Sequence, residues 1–193
     1  PLSQGVALDA TTGETRWVFN PKSYEEGTTS MTVTWRERGV AYWTDGAEEE
    51  RIFWGTGNGS LVCVHAQTGR PCENFGQGGI IDALTGLPRA IRENRDYLNA
   101  ILFSIQSPPI VVRDTVIHGS SIADRRITKE AVPGWVRAWD VRTGEHKWDF
   151  HTVPANADEF GSDTWLDESW RYSGNANVWS MLSGDDELGY VYL

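Results

Sequence analysis

Sulfur is scarce in this chain: two cysteines and two methionines stand among 193 residues. Two cysteines cannot build the disulfide framework on which small secreted scaffolds rely. Long apolar runs are also missing. None reaches the roughly 18 residues that a membrane-spanning helix needs, and Pro1-Leu2-Ser3-Gln4 has neither the basic nor the apolar stretch of a signal peptide. Positive charge is the rarer sign: 17 Lys and Arg against 27 Asp and Glu leave a net charge of −10. The cations are scattered rather than clustered, which argues against a nucleic-acid-binding surface. What remains is informative. Hydrophobic residues make up 39% of the chain, so it buries a core and is no disordered acidic tail. Ten Trp and twenty Gly point to a repetitive all-β architecture with many tight turns. The length fits about one domain.

A repeat carries that expectation further. Residues 7–17 run from Ala7 through Asp9, Thr12 and Gly13 to Trp17, and residues 138–148 run from Ala138 through Asp140, Thr143 and Gly144 to Trp148. Both fit A-x-D-x-x-T-G-x-x-x-W, and both reach a Phe two residues later, Phe19 and Phe150. A degraded copy at 63–75 keeps Thr68-Gly69 and Phe75, has His65 in place of the Asp, and lacks the Trp. Alternating apolar residues before the Asp make a strand. The Asp side chain accepts bonds from N–H groups two residues on, and the Gly takes positive φ, so the unit is a hairpin. The following strand delivers a Trp that packs between neighbouring sheets.

Residues 51–55, 110–117 and 189–193 supply further strands. The Thr-Gly copies lie farther apart than a bare four-stranded blade of roughly 40 residues. Long loops therefore separate the blades. Asp82–Leu102 is one, with a short helix expected over Pro88–Leu98, and Thr152–Gly174 is another. The expectation is an all-β β-propeller fragment of about three blades, with residues 1–193 as a partial domain starting and ending inside blades.

The repeat resembles the tryptophan-docking motif of eight-bladed quinoproteins, the dehydrogenases of alcohols and sugars that depend on pyrroloquinoline quinone (PQQ). Three stretches sharpen the resemblance: Arg38-Gly39-Val40-Ala41-Tyr42-Trp43; Ser107-Pro108-Pro109-Ile110-Val111-Val112 with Gly119-Ser120-Ser121-Ile122-Ala123-Asp124; and Asn175-Ala176-Asn177-Val178-Trp179-Ser180. It implies a PQQ-dependent dehydrogenase acting on a CH–OH group of a sugar or alcohol, glucose-dehydrogenase-like. Electrons would pass to ubiquinone or cytochrome c. The same resemblance implies a periplasmic location, with any membrane attachment through a segment absent from this chain. Arg38 is similar to the Arg that pairs with a PQQ carboxylate, a role its bidentate fork suits. Trp179 is similar to the Trp beneath the cofactor. Ser107, Ser120 and Ser121 resemble small polar residues at its rim. Asp124 matches a carboxylate ligand of the metal, usually calcium, which takes hard oxygen donors. Arg125 stands where relatives often have Asn, so the second ligand is left open. The stretch before Arg38 lacks the adjacent cysteines of methanol-type members, which favours the sugar-type branch. The catalytic Asp is expected beyond Leu193, and the fragment alone is expected to be inactive. The competing reading is a non-catalytic scaffold propeller of the outer-membrane assembly type, which shares the docking motif.

Other constellations carry less. Gly55-Thr56-Gly57-Asn58-Gly59 is no dinucleotide loop, because a strand follows it. Cys63, His65 and Cys72 lack a second Cys pair for zinc. Whether Cys63 and Cys72 pair with each other stays open. Asp158, Glu159, Asp163, Asp167 and Glu168 crowd a loop with Trp165 and Trp170 that reads equally as a substrate mouth or a surface lid.

Overall fold

The computed structural model describes residues 3–25, 37–90, 103–122 and 129–193. Its strands are β1 (Gly5–Leu8), β2 (Thr15–Phe19), β3 (Ala41–Thr44), β4 (Glu50–Gly55), β5 (Ser60–His65), β6 (Ile80–Asp82) and β7 (Phe103–Ser104). They continue with β8 (Ile110–Val112), β9 (Thr115–His118), β10 (Ser121–Ile122), β11 (Val136–Asp140), β12 (His146–Phe150), β13 (Ser183–Asp185) and β14 (Tyr190–Tyr192). Two sheets are complete four-stranded meanders, β3-β4-β5-β6 and β8-β9-β11-β12. The pairs β1-β2 and β13-β14 flank them, and β7-β10 forms a short separate ladder. Every pairing between named strands is antiparallel. These are successive blades of a β-propeller, as the repeat predicts.

The hairpin chemistry is as the repeat implies. Asp9 Oδ1 accepts the N–H groups of Thr11 and Thr12, both at 2.9 Å, and Asp140 Oδ1 accepts those of Arg142 and Thr143. Gly13 and Gly144 follow at φ 75° and 73°. In the degraded copy the turn survives without its Asp, because the Gly69 N–H still reaches His65 O at 2.9 Å. The strand after it does not survive intact. Pro71 has no N–H to offer a ladder and makes only an isolated bridge to Val64. Residues 73–78 then leave the sheet between Cys72 and Gly79, which both bond Cys63, and β6 resumes beside the start of β5.

Two seams join the blades. At the first, Trp17 lies against the Gly69 turn and donates its indole N–H to Ala66 O at 2.8 Å. Trp54 donates to Ser3 O at 2.9 Å and meets the edge of Phe19. At the second seam no described Trp seats on the Gly144 turn, but Trp43 donates its indole N–H to Asp114 Oδ1 at 3.2 Å and lies under the Arg142 guanidinium. The Gly76 N–H bonds Thr143 O at 2.9 Å, and Ile81 packs against Gly144. Buried arginines complete it: Arg51 donates to Val141 O and Arg142 O, and Arg137 to Ala83 O and Thr85 O. The main core, including Phe53, Leu61, Phe75, Val116 and Trp139, fills the space between these two sheets.

One expectation needs adjustment, and two of the expected loops can be described in more detail. Trp148 is 38% exposed rather than packed between neighbours; it sits on the outer strand β12, and no described turn lies over it. The loop at 152–174 contains two 3₁₀ segments, Ser162–Thr164 and Leu166–Arg171. Its start is anchored where His151 packs against Trp135 and bonds Glu159. Of the helix expected over Pro88–Leu98, only Pro88–Ala90 are described, and they form a turn and irregular chain; the rest lies outside the described residues.

Candidate functional site

Four loop segments meet beside the starts of β3 and β8. Residues 37–40 lead into β3, 105–109 lead into β8, 119–120 follow β9, and 175–180 precede β13. Backbone bonds set their relative positions. The Arg38 N–H reaches Gln106 O at 2.9 Å. The Ser120 N–H reaches Val178 O at 2.9 Å, and the Asn175 N–H reaches Val132 O at 3.0 Å. Glycines allow this closeness. A Cβ on Gly119 would collide with Val178 O, one on Gly134 with Asn177, and one on Gly174 with Ala131. Asn175 and Ala176 both hold positive φ, 57° and 47°, as the chain turns into this channel. The Asn177 side-chain amide then donates to Ser120 O at 2.8 Å.

The result brings Arg38, Ser107 and Trp179 together, although 141 residues separate the first from the last. The Arg38 guanidinium carbon lies 5.2 Å from the centroid of the Trp179 ring. Its Nη1 donates to Trp179 O at 3.2 Å and lies 3.4 Å from Ser107 Oγ, which itself donates to Trp179 O. Trp179 remains 58% exposed with the guanidinium over its ring. Among the described residues Arg38 has no carboxylate partner. Its charge is instead held against an aromatic plate, an arrangement that favours a planar anionic ligand.

Ser120 stands at the edge of this cluster. It is 2% exposed, and among the described residues its Oγ has no hydrogen-bond partner. A buried hydroxyl left unpaired costs free energy unless a water or ligand reaches it. Ser121 lies in β10 opposite Ser104 and accepts the Ser104 hydroxyl at its carbonyl, 3.4 Å away. It is half-buried, and no contact ties its side chain to Arg38 or Trp179. Asp124 and Arg125 lie outside the described residues. Among the described residues no group of three or more His, Cys, Asp or Glu is placed to hold a metal ion.

The sequence did not single out Glu37 or Asn177. Glu37, next to Arg38, is half-buried and accepts the Ser3 hydroxyl at 2.6 Å. Burial lifts its carboxyl above the ordinary value, against the pull of that hydrogen bond. Asn177 was visible only as part of a motif; its clamp on Ser120 depends on the backbone path.

Comparisons with known proteins agree along the whole chain. The family model described as "PQQ: Glucose/ethanol/alcohol dehydrogenase, beta-propeller domain" matches residues 1–193. The quinoprotein glucose dehydrogenase of Escherichia coli K12 is 27% identical over 97% of this chain and 23% of its own length. The quinohemoprotein alcohol dehydrogenase ADH IIB of Pseudomonas putida is 28% identical over 99% of this chain and 25% of its own length. The solved structure of quinohemoprotein alcohol dehydrogenase ADHIIG from Pseudomonas putida HK5 superposes with a TM-score of 0.67 at 25% identity, covering 97% of this chain and 25% of that one. The chain thus spans about a quarter of the length of the relatives it matches.

Proposed function

The chain belongs to the β-propeller family of PQQ-dependent glucose, ethanol and alcohol dehydrogenases, and from that premise we propose that it forms part of an enzyme oxidising a sugar or alcohol hydroxyl with PQQ and calcium. The observation that carries the reading is the Arg38 guanidinium held over the ring of the solvent-exposed Trp179. PQQ is flat, aromatic and carries carboxylates. Its face suits the Trp179 ring, and a carboxylate suits the Arg38 fork. The orphaned Ser120 hydroxyl offers a further polar contact at the rim. When bound, PQQ supplies the two-electron oxidant that no side chain can provide.

This chain's own residues bind and orient. Arg38 would neutralise the cofactor's negative charge. Trp179 would exclude water from one of its faces, and Ser107 fixes the Trp179 backbone by its hydrogen bond to the carbonyl. Asp124 is the proposed calcium ligand. The proton acceptor for the substrate hydroxyl is assigned to a carboxylate outside residues 1–193. Glucose-like sugars are the preferred substrates, ubiquinone or cytochrome c the electron acceptor, and the periplasm the location. A non-catalytic scaffold would have no use for an anion fork against an exposed aromatic plate.

The test is reconstitution of the full-length protein with PQQ and calcium, followed by a screen of sugars and alcohols with an artificial electron acceptor. Substrate-dependent dye reduction that needs both additions is expected. Absence of PQQ binding would refute the assignment.

A further inference from the structure

Cys63 and Cys72 take no part in the proposed cofactor site, yet the fold places them opposite one another. Cys63 lies in β5, whose outer neighbour over its second half is the segment starting at Pro71. The bridge Val64↔Pro71 is antiparallel, so the next pair in the same register is Cys63 with Cys72. The Cys72 N–H donates to Cys63 O at 3.1 Å, which anchors that pairing. Facing residues of an antiparallel ladder have Cα atoms about 4.5–5.5 Å apart, inside the window of about 4.4–6.8 Å that a disulfide spans. Both side chains are fully buried.

The surroundings favour chemistry at this pair. Arg51 Nη1 lies 4.0 Å from Cys63 Sγ. The neighbouring Cys63 thiol and the nearby guanidinium pull the Cys72 thiol below its ordinary value, while burial pushes Cys63 up. A guanidinium beside a cysteine pair favours the thiolate form that thiol–disulfide exchange uses.

The segment that Cys72 opens is the one that replaces the missing docking tryptophan. Residues 73–78 leave the sheet, Phe75 enters the core, and Gly76 bonds Thr143 of the next blade. Gly79, at φ +88°, brings the segment back against Cys63 and Cys72.

We propose that Cys63 and Cys72 form an intrachain disulfide that closes this excursion and fixes the second blade seam. The oxidant is a low-molecular-weight or protein disulfide. The Cys72 thiolate attacks one of its sulfurs, forming a mixed disulfide and releasing one thiol. Cys63 then attacks the Cys72 sulfur, and its proton passes to the second departing thiolate. The cysteine pair loses two electrons and two protons, and the oxidant becomes two thiols. Because both sulfurs are buried in the finished blade, exchange takes place as the blade closes.

The test uses the chain refolded from its reduced, denatured state in a buffer of reduced and oxidised glutathione, and in parallel the chain exported to an oxidising compartment. Each is then alkylated under denaturing conditions. Cleavage after Arg51 and Arg89 leaves both cysteines in one peptide, because Arg70 precedes Pro71. The expected product is that peptide, unalkylated and lighter by two hydrogens, from a chain that runs as a single-chain species under non-reducing denaturing conditions. The oxidised form should melt about 5–10 °C above the reduced one, and the Cys63→Ser/Cys72→Ser variant should show no redox-dependent melting shift. Two alkylated cysteines in both preparations, a persistent glutathione adduct, a disulfide-linked dimer, or equal melting of the oxidised and reduced forms would each overturn the proposal.

Discussion

At the scale of single residues, Trp179 and Arg38 divide the work of holding a planar anion. Truncating Trp179 to Ala removes the plate and leaves the charge, so PQQ affinity should fall by about 1–3 kcal/mol, the range for a lost stacked aromatic. Arg38→Lys keeps the charge but loses the planar fork, and it should weaken PQQ binding while leaving the melting temperature unchanged. Titrating PQQ into each variant, alongside a thermal melt, checks both. His118 gives a prediction of a different kind. Trp139 donates its indole N–H to His118 Nε2 at 3.1 Å, and His118 Nδ1 lies 2.9 Å from Gly119 O. These partners suit a neutral ring with its proton on Nδ1, and burial brings its pKa down to about 4. Between pH 6.5 and 4 the unfolded chain therefore takes up a proton that the folded chain refuses. This contribution to stability is complete above about pH 6.5 and is lost as pH falls, amounting to roughly 3 kcal/mol. An imidazole NMR titration should find one ring still neutral at pH 5 in the folded protein, and urea midpoints should drop across the same window.

At the scale of elements, the Thr-Gly hairpins provide an internal comparison. Gly13 and Gly69 both hold positive φ, but a Cβ on Gly13 meets open space, whereas one on Gly69 strikes the Trp17 ring. Gly13→Ala should cost only the backbone penalty, about 1–2 kcal/mol. Gly69→Ala adds overpacking of about 1–3 kcal/mol. Urea denaturation of both variants would expose the difference, and equal losses would mean that Trp17 does not seat on that turn. The same hairpins show what could be read from the sequence. Asp9 and Asp140 announced their turns because an Asx bond is local, and the recurring Trp announced a seam. The second seam was hidden, since a main-chain bond from Gly76 and the reach of Arg51 and Arg137 leave no spacing pattern. Arg38 and Trp179 could be named through a family resemblance, but their contact depends on Gly119, Gly134 and Gly174 admitting one backbone against another. No periodicity encodes that approach. Ser121 belonged to the same motif, yet its strand pairs it with Ser104 rather than with the cluster.

At the scale of the whole molecule, apolar side chains remain on the two flanking regions. Val6, Leu8 and Val18 are exposed on β1-β2, and Trp148, Phe150, Tyr190 and Tyr192 on the opposite side. Such patches favour association, while a net charge of −10 opposes it. Sedimentation velocity on residues 1–193 should show concentration-dependent association that strengthens as salt screens the repulsion. Leu8→Glu with Val18→Glu should weaken it, and a monomer unaffected by concentration and salt would contradict the expectation. The two seams also differ in material. One is an aromatic latch: a Trp17 ring on a glycine turn, with one indole hydrogen bond from Trp17 to Ala66 and one from Trp54 to Ser3. The other is a joint riveted by guanidinium groups and a main-chain bond, with the buried Trp43 tied across it to Asp114. Under tension applied along the chain, the β1-β2 hairpin would peel away first, sliding off a greasy contact. The two four-stranded blades would then bear the load together, because Arg51 and Arg137 must each tear free of two carbonyls before their sheets can part.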